Sequence, residues 1–529
     1  RVLFRSRPSC VGAPAGSSLP LSPPPKRLAM GNACFAGLLE AGLHPYKAML
    51  PASSFRQKGG AKCALRHRCA RSGSGLRKLY SLTSDVIGEG GFGTVSKTRS
   101  KQTGVTCVMK VIAKRGMPQA HLALLADEIA IHEMCDHPNI VRIYESFECP
   151  DQIHIAMEAC GGGDLNSYVE DHGGALAEGD ARTVMRQVLQ AVFYLHDVMS
   201  VAHRDIKPEN VLLKHKGPPL EENAVKVIDF GLAHSFTPGE RSLDALCGTP
   251  AYMAPELLQG PYDEKCDVWS CGVLLHELLS GCCPFDHEEP MGVLRVAARH
   301  PLILAGSSWD GVSSEVKAVL RGMLRKSPGQ RLSAEQALHT PWLLTVRPSA
   351  SFSSEASAAS SEALVENLRA FSEMSDFQRA ALRLAAYHLE DPQVEKQRNA
   401  FLALDRNGDG RLDAEELSGC PELGLTTPEA KEIFQRLDTD GSGAVEYSEF
   451  LGAAVSREAL PRHACWEAFR LCDRDGSGSI SAAEVRELLG KGNGRRFGRG
   501  GSIAGSGEAE QMDFDGFVSL LRGASLGGA

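Results

Sequence analysis

Apolar positions recur at two different spacings along this chain, and the changes of spacing divide it into regions. From Tyr80 to Glu158 the apolar runs are short and rich in β-branched residues. Val86-Ile87 leads into a Gly-rich turn, and the runs 105–112 and 153–158 read as strands. Leu122 to Met134 keeps a helical spacing between them. Ala181 to Leu195 is again helical, Val211-Leu212-Leu213 and 225–231 are strand-like, and 257–342 alternates helical periods with loops. This order predicts an α+β domain over 80–342. Beyond it the pattern is helical. Ser349 to Ser361 is Ser/Ala-rich and reads as a linker. From Glu362 to Leu389 the chain is amphipathic: Leu364, Leu368 and Phe371 share one helical face, as do Phe377, Ala381 and Leu384. Residues 343–392 are therefore expected to hold a linker and a junction helix. Residues 393–524 are expected to form an all-α domain built from a repeat.

Composition narrows the classes. A chain of 529 residues, 43% hydrophobic and 23% charged, has room for two to four globular domains. A net charge of -8 argues against nucleic acid as the main partner. The cysteines lack the paired C-x-x-C spacing of a zinc site. Residues 1–29 are rich in Pro, Ser and Gly, no acid appears before Glu40, and 1–79 read as a disordered basic region. If translation begins at Met30, Gly31 becomes an acceptor for myristate and Cys34 for palmitate, although Phe35 stands where Ser or Thr is preferred. The acid-free basic stretch from Lys47 to Lys78 would add attraction to an anionic membrane surface. The expectation is a cytoplasmic, monomeric protein, membrane-associated if acylated.

The chemistry concentrates in His203-Arg204-Asp205-Ile206-Lys207-Pro208-Glu209-Asn210. One loop there offers a carboxylate, an ammonium and an amide, the set that phosphoryl transfer needs to orient a hydroxyl, neutralise phosphate charge and hold a metal. Gly88, Gly90 and Gly93 allow close backbone approach to phosphate. Lys110 on the following strand, Glu128 on the next helix and Asp229 at the end of the last strand complete a polyanion-binding set.

The repeat is a twelve-residue loop of oxygen-bearing side chains. Asp405, Asn407, Asp409 and Glu416 form the first, with Asp438, Asp440, Ser442 and Glu449 following 33 residues on and Asp473, Asp475, Ser477 and Glu484 after 35 more. Hard oxygens at alternate positions wrap Ca2+, with the carbonyls of Arg411, Ala444 and Ser479 at position 7, glycine at position 6 and a bidentate glutamate at position 12. Leu412, Val445 and Ile480 at position 8 would pair loops through a short β-bridge. A fourth loop in phase carries Gly505, Gly507, Ala509, Gln511 and Gly516, and reads as a degenerate hand that packs against the third without binding metal.

Taken together, residues 80–342 resemble a protein kinase domain. With an amphipathic junction and tandem EF-hands behind it, the chain resembles the calcium-dependent protein kinase family. That resemblance implies a bilobal kinase fold followed by an all-α calmodulin-like domain, with ATP, Mg2+ and Ca2+ as cofactors and Ser/Thr-containing proteins as partners. It makes Asp205 the catalytic base and Lys207 a neutraliser of the moving phosphoryl, with Asn210 and Asp229 as magnesium ligands. Lys110 would grip phosphates and pair with Glu128. The backbone of Glu158 and Cys160 would bind adenine, with Val95, Met157 and Leu212 around the ring and Asp164 near the ribose or a basic residue of the substrate. Glu256 would brace Arg331. Two departures matter: Val108 stands where alanine is usual above adenine, and Ala245 occupies the usual activation-loop phosphosite. Asp244 could replace that phosphate beside Arg204, and Ser242 is a rival phosphosite. Residues 377–389 are the segment expected to be captured by the hands. The alternative is a calcium-binding scaffold with an inactive kinase fold.

Overall fold

The computed structural model describes residues 67–68, 73–90, 93–344, 355–489 and 511–523. Gly31, Cys34 and the start of the fourth loop lie outside them. The first lobe is a six-stranded sheet in the order β1-β5-β6-β4-β3-β2. Its strands are β1 (His67–Arg68), β2 (Tyr80–Gly90), β3 (Gly93–Ser100), β4 (Thr106–Ala113), β5 (Ile143–Glu148) and β6 (Gln152–Glu158). Strand alternation explains its two faces. Cys107 and Met109 of β4 point into a small core with Tyr80, Phe147 and Ala156, whereas Val108 and Lys110 are only partly covered on the other face. Helix α1 (Gly73–Leu79) adds Leu76, 1% exposed, to that core. The folded part therefore begins before Tyr80, and the disorder expected up to residue 79 does not extend over 73–79. Helix α2 (Gln119–Met134) packs Leu125 and Ile129 against Ile112, Ile143, Ile153 and Ile155.

The second lobe is helical, with α3 (Leu165–Asp171), α4 (Glu178–Phe193) and α5 (Lys265–Ser280) around fully buried Trp269. A short hairpin pairs β7 (Val211–Leu213) with β8 (Val225–Val227), so the strand expected over 225–231 stops at Val227. Glu256 and Arg331 form a buried bidentate pair at 2.6 and 2.8 Å, as the resemblance implies. Leu343 is still inside this core, one residue past the expected boundary.

The stretch read as linker and junction is two helices, α6 (Glu355–Ser372) and α7 (Asp376–Tyr387), so helix replaces linker from Glu355. Ser375 and Gln378 close a capping box that starts α7. Leu364, Leu368, Phe371, Phe377, Ala381 and Leu382 share one core with Phe401, Phe450, Phe469 and Phe517 of the EF-hand module. The helices are thus swallowed by the hands. In that module α8 (Asp391–Leu404), β9 (Arg411–Leu412) and α9 (Ala414–Ser418) form hand 1, and α10 (Thr427–Leu437), β10 (Val445–Glu446) and α11 (Tyr447–Ala454) form hand 2. Hand 3 is α12 (Arg462–Cys472), β11 (Ser479–Ile480) and α13 (Ala482–Leu488), and it pairs with β12 (Met512–Asp513) and α14 (Phe514–Arg522). Position 8 pairs as expected: Leu412 with Val445, and Ile480 with Met512 of the degenerate hand. Among the described residues no helix is long and apolar enough to cross a membrane.

Polar contacts anchor the module on the first lobe. Arg142 donates to the carbonyls of Tyr387 and Leu389 at 3.0 and 3.3 Å, and the Tyr387 hydroxyl donates to Ile143 O at 2.9 Å. Arg470 of α12 donates to Glu145 at 3.0 and 3.2 Å, and Trp466 Nε1 to Gln102 at 2.8 Å. The hand 1 loop also reaches the second lobe: a Cβ at Gly410, φ +79°, would lie 2.4 Å from His137 and 3.1 Å from Tyr194, and one at Gly408 3.4 Å from Leu338.

Candidate active site and calcium loops

Two backbone anchors shape the loop. Asp267, wholly buried at the start of α5, accepts the N–H groups of His203 and Arg204, each at 2.7 Å. Arg204 is thereby held at φ +66°, a costly conformation for a non-glycine residue and one that recurs at functional sites. The turn delivers Asp205 into a cage of donors. Its Oδ2 accepts Lys207 Nζ at 2.6 Å and Asn210 Nδ2 at 2.9 Å, and its Oδ1 accepts the Thr249 hydroxyl at 2.7 Å and N–H at 3.2 Å. Thr249 also receives Lys207 Nζ at 2.8 Å, so it ties base and ammonium together.

Across the cleft, β4 presents Lys110 beside Glu128 at 3.4 Å and Asp229 at 3.7 Å. Burial would lower the Lys110 ammonium, but the two carboxylates hold it above its ordinary range. Burial would raise Asp229, but Lys110, His203, Lys207 and the Gly231 N–H hold it ionised, below the ordinary carboxylate range. Asp229 sits at φ +64°, and its buried Oδ1 has no hydrogen-bond partner. A backbone bond from Ile228 N–H to Asn210 O at 3.0 Å joins the two proposed metal ligands. An ionised carboxylate oxygen without a hydrogen-bond partner suits a hard cation such as Mg2+. Between the lobes, His132 of α2 stacks on Phe230 at 4.3 Å, and Phe230 meets His203 edge-on at 5.1 Å. The stack joins the helix carrying Glu128 to the turns carrying Asp229 and Asp205.

The nucleotide side is a hairpin of β2 and β3 closing at Gly90 opposite Gly93. Gly93 is required, because a Cβ there would lie 2.1 Å from Val111 O. Gly88 is partly covered on β2. Val95 lies opposite Lys110, and Val108 opposite Met157. Val95, Val108, Met157, Cys160 and Leu212 are all partly exposed. Glu158 ends β6 within the sheet, and its N–H is committed to Arg142 O at 2.9 Å. Of its two backbone groups, the carbonyl is the one that would serve adenine. Its carboxylate is buried among Lys214, Lys226 and Arg142 at 2.6, 3.2 and 3.5 Å, and those cations hold it well below the ordinary range against burial. Asp164 caps α3 through Ser167 at 2.8 Å, and Glu209 is exposed beside the loop.

Arg204 finds partners other than the expected Asp244. Its Nε donates to Leu232 O at 2.6 Å and Nη1 reaches the Tyr262 hydroxyl at 3.4 Å, while that hydroxyl donates to Ala245 O at 2.6 Å. Asp244 is exposed, as is Ser242.

The calcium loops share one geometry. Gly410, Gly443 and Gly478 at position 6 have φ of +79°, +86° and +85°. Oxygens of Asp438, Asp440 and Glu449, and of Asp473, Asp475 and Glu484, lie within 4.8 Å of one another, as a single cation requires. Ser442 and Ser477 donate to the position 7 carbonyls of Ala444 and Ser479 at 2.9 and 3.0 Å. In hand 1 Asp405 accepts the N–H groups of Gly408 and Gly410, much as Asp438 and Asp473 accept those of positions 5 and 6 in the other hands, while Asn407 donates to Asp409 and Arg411 N–H bonds Asp409. Burial, Asp409 and Glu416 push Asp405 well above the ordinary carboxylate range. A divalent cation would relieve that crowding.

The sequence pattern does not single out Thr249, Asp267, His132 or Arg142. Asp267 falls within the alternating span 257–342 and Thr249 follows Cys247-Gly248, but their partners lie far away in sequence.

Comparison with known proteins agrees with this geometry. A protein kinase domain model matches residues 82–343, an EF-hand domain pair matches 394–455 and a single EF hand matches 467–489. Calcium-dependent protein kinase 3 of Plasmodium berghei (strain Anka) is 33% identical over 420 residues, covering 79% of this chain and 74% of that protein. Calcium-dependent protein kinase 4 of Plasmodium falciparum (isolate 3D7) is 34% identical over 422 residues, 77% of this chain and 79% of that protein. Calcium-dependent protein kinase 7 of Arabidopsis thaliana is 34% identical over 425 residues, 79% and 77% respectively.

Proposed function

This chain belongs to the calcium-dependent protein kinase family, and from that premise we propose that it moves the γ-phosphoryl group of ATP to Ser or Thr of proteins under control of calcium held by its own hands. The observation that carries the reading is the four-donor cage around Asp205 opposite the Lys110–Glu128–Asp229 cluster. The substrate hydroxyl attacks the γ-phosphorus, the bond to the β,γ-bridging oxygen breaks, and ADP leaves. Asp205 orients that hydroxyl and takes its proton, Lys207 offsets charge on the transferring group, and Lys110 holds the remaining phosphates. Magnesium bound by Asn210 and Asp229 would neutralise phosphate charge.

Asp164 and Glu209 supply acid on the substrate side, so basic residues before the acceptor are the proposed preference. Calcium control is supported by the route from the hands to the nucleotide site. Arg142 holds Tyr387 and Leu389 on one side and the Glu158 carboxylate on the other. Docked hands thus brace the residue whose carbonyl serves adenine. Acylation at Gly31 and Cys34 would add a membrane surface to a cytoplasmic monomer. Transfer of labelled phosphate from ATP-Mg to a peptide array tests the substrate reading. Enrichment of Ser peptides with upstream Arg is expected, reduced by Glu209→Lys; indifference to basic residues would refute the preference.

A further inference from the structure

In hands 1 and 3 the position 12 glutamate is held by N–H groups of its own loop. Glu416 accepts from Arg406, Asn407 and Asp413, and Glu484 from Arg474, Asp475 and Ser481. Hand 2 differs. Glu449 Oε1 accepts Arg383 Nη1 at 2.8 Å, Glu446 Oε2 accepts Nη2 at 2.7 Å, and Ser448 Oγ accepts Nε at 2.8 Å. One guanidinium therefore spans positions 9, 11 and 12 of the loop. It comes from α7, the junction helix, 66 residues before Glu449. The site is sheltered: the side chains are 16% exposed for Arg383, 8% for Glu446 and 0% for Glu449. Water screens such a pair little.

These are the carboxylates that calcium would use. We propose that Arg383 is an internal cation of hand 2, setting that hand's calcium affinity against the seating of α7. The proposal rests on the reading of the loops as calcium sites and deepens it. Two like-signed cations sharing Glu449 repel, so Arg383 weakens calcium binding at hand 2 and calcium weakens the grip on Arg383 by the same factor. The effect reaches the kinase lobe. Arg383 Nη2 lies 3.9 Å from Asp136, just beyond the end of α2, and Asp136 accepts the Ser448 N–H at 3.2 Å.

Isothermal calcium titration of the full chain in magnesium buffer tests this. Arg383→Gln should tighten one site about tenfold, within the usual range for coupling between sites. Arg383→Lys keeps the charge but loses the planar fork, and should tighten it less. In a Glu449→Gln background, Arg383→Gln should change no remaining site. Circular dichroism under chelator checks folding, and the Lys variant carries the test where the Gln variant does not fold. Unchanged or weakened binding in both variants, with a normal wild-type titration, overturns this proposal alone. A wild-type chain that binds no calcium overturns it together with the reading of the loops.

Discussion

Four donors fix the Asp205 carboxylate, and two of them come from Thr249, a residue 44 positions away. Residues 203–210 are legible in sequence because the chemistry is contiguous. Thr249 is not, because its role exists only once the activation segment folds back. Thr249→Ala should lower kcat by about 10- to 100-fold, the usual cost of a misplaced catalytic group, with ATP KM less affected. Steady-state kinetics at saturating ATP-Mg measures it, and an unchanged kcat would remove Thr249 from the site. His132 is similarly silent in sequence, where it reads as one more residue of an apolar helix. Burial lowers its pKa to about 4, while Val141 O accepts its ring N–H at 2.8 Å. Native His132 therefore stays neutral while the unfolded chain protonates it near the ordinary value of 6.5. Its contribution is complete above pH 6.5 and is lost as pH falls towards 4. At pH 5 the loss is about 2 kcal/mol. Urea unfolding at pH 7.5 and 5 should show that His132→Leu reduces the pH dependence by about this amount; an identical dependence would contradict it.

Among elements, the junction shows most clearly what periodicity can and cannot deliver. The apolar faces at 364–371 and 377–384 are legible; the first is buried, and in the second Phe377 and Ala381 are buried together with Leu382, while Leu384 is only partly covered. Their partners are not legible, since a helical face is silent about what covers it. The break at Ser375, which makes two helices of one amphipathic stretch, is marked by its capping box with Gln378. The helical start at Glu355 is missed because Ser and Ala suit linker and helix alike. Phe377 packs edge-on against Phe517 of α14 at 6.2 Å, so the degenerate hand earns its place through its helix, not through metal. Phe377→Ala should cost about 3 kcal/mol in this core. A urea midpoint for the hands that does not move would show that α7 is only loosely held.

At the scale of the molecule, the chain joins its two halves through a small set of polar anchors that composition cannot reveal. Arg142 is the central one, holding two junction carbonyls and the Glu158 carboxylate at once. Truncating one member of a buried charged network typically costs about 3 kcal/mol or more, because the partner charge stays buried. Arg142→Gln should lower the melting temperature and cut calcium-stimulated activity towards the level in chelator. A variant with full stimulation would place the coupling elsewhere. The placement of α6 and α7 on the hands, rather than over the Asp205 loop, also sharpens the switch: bracing from behind is the form of control this arrangement supports.

The central claim is that a complete phosphotransfer site is governed by calcium bound within the same chain. The most direct measurement is phosphate transfer from ATP-Mg to an Arg-containing Ser peptide by the purified full chain, in calcium and in chelator, beside Asp205→Asn. The account predicts strong transfer in calcium, little in chelator and none from the variant. Equal transfer in calcium and chelator would contradict it, as would the absence of transfer in both.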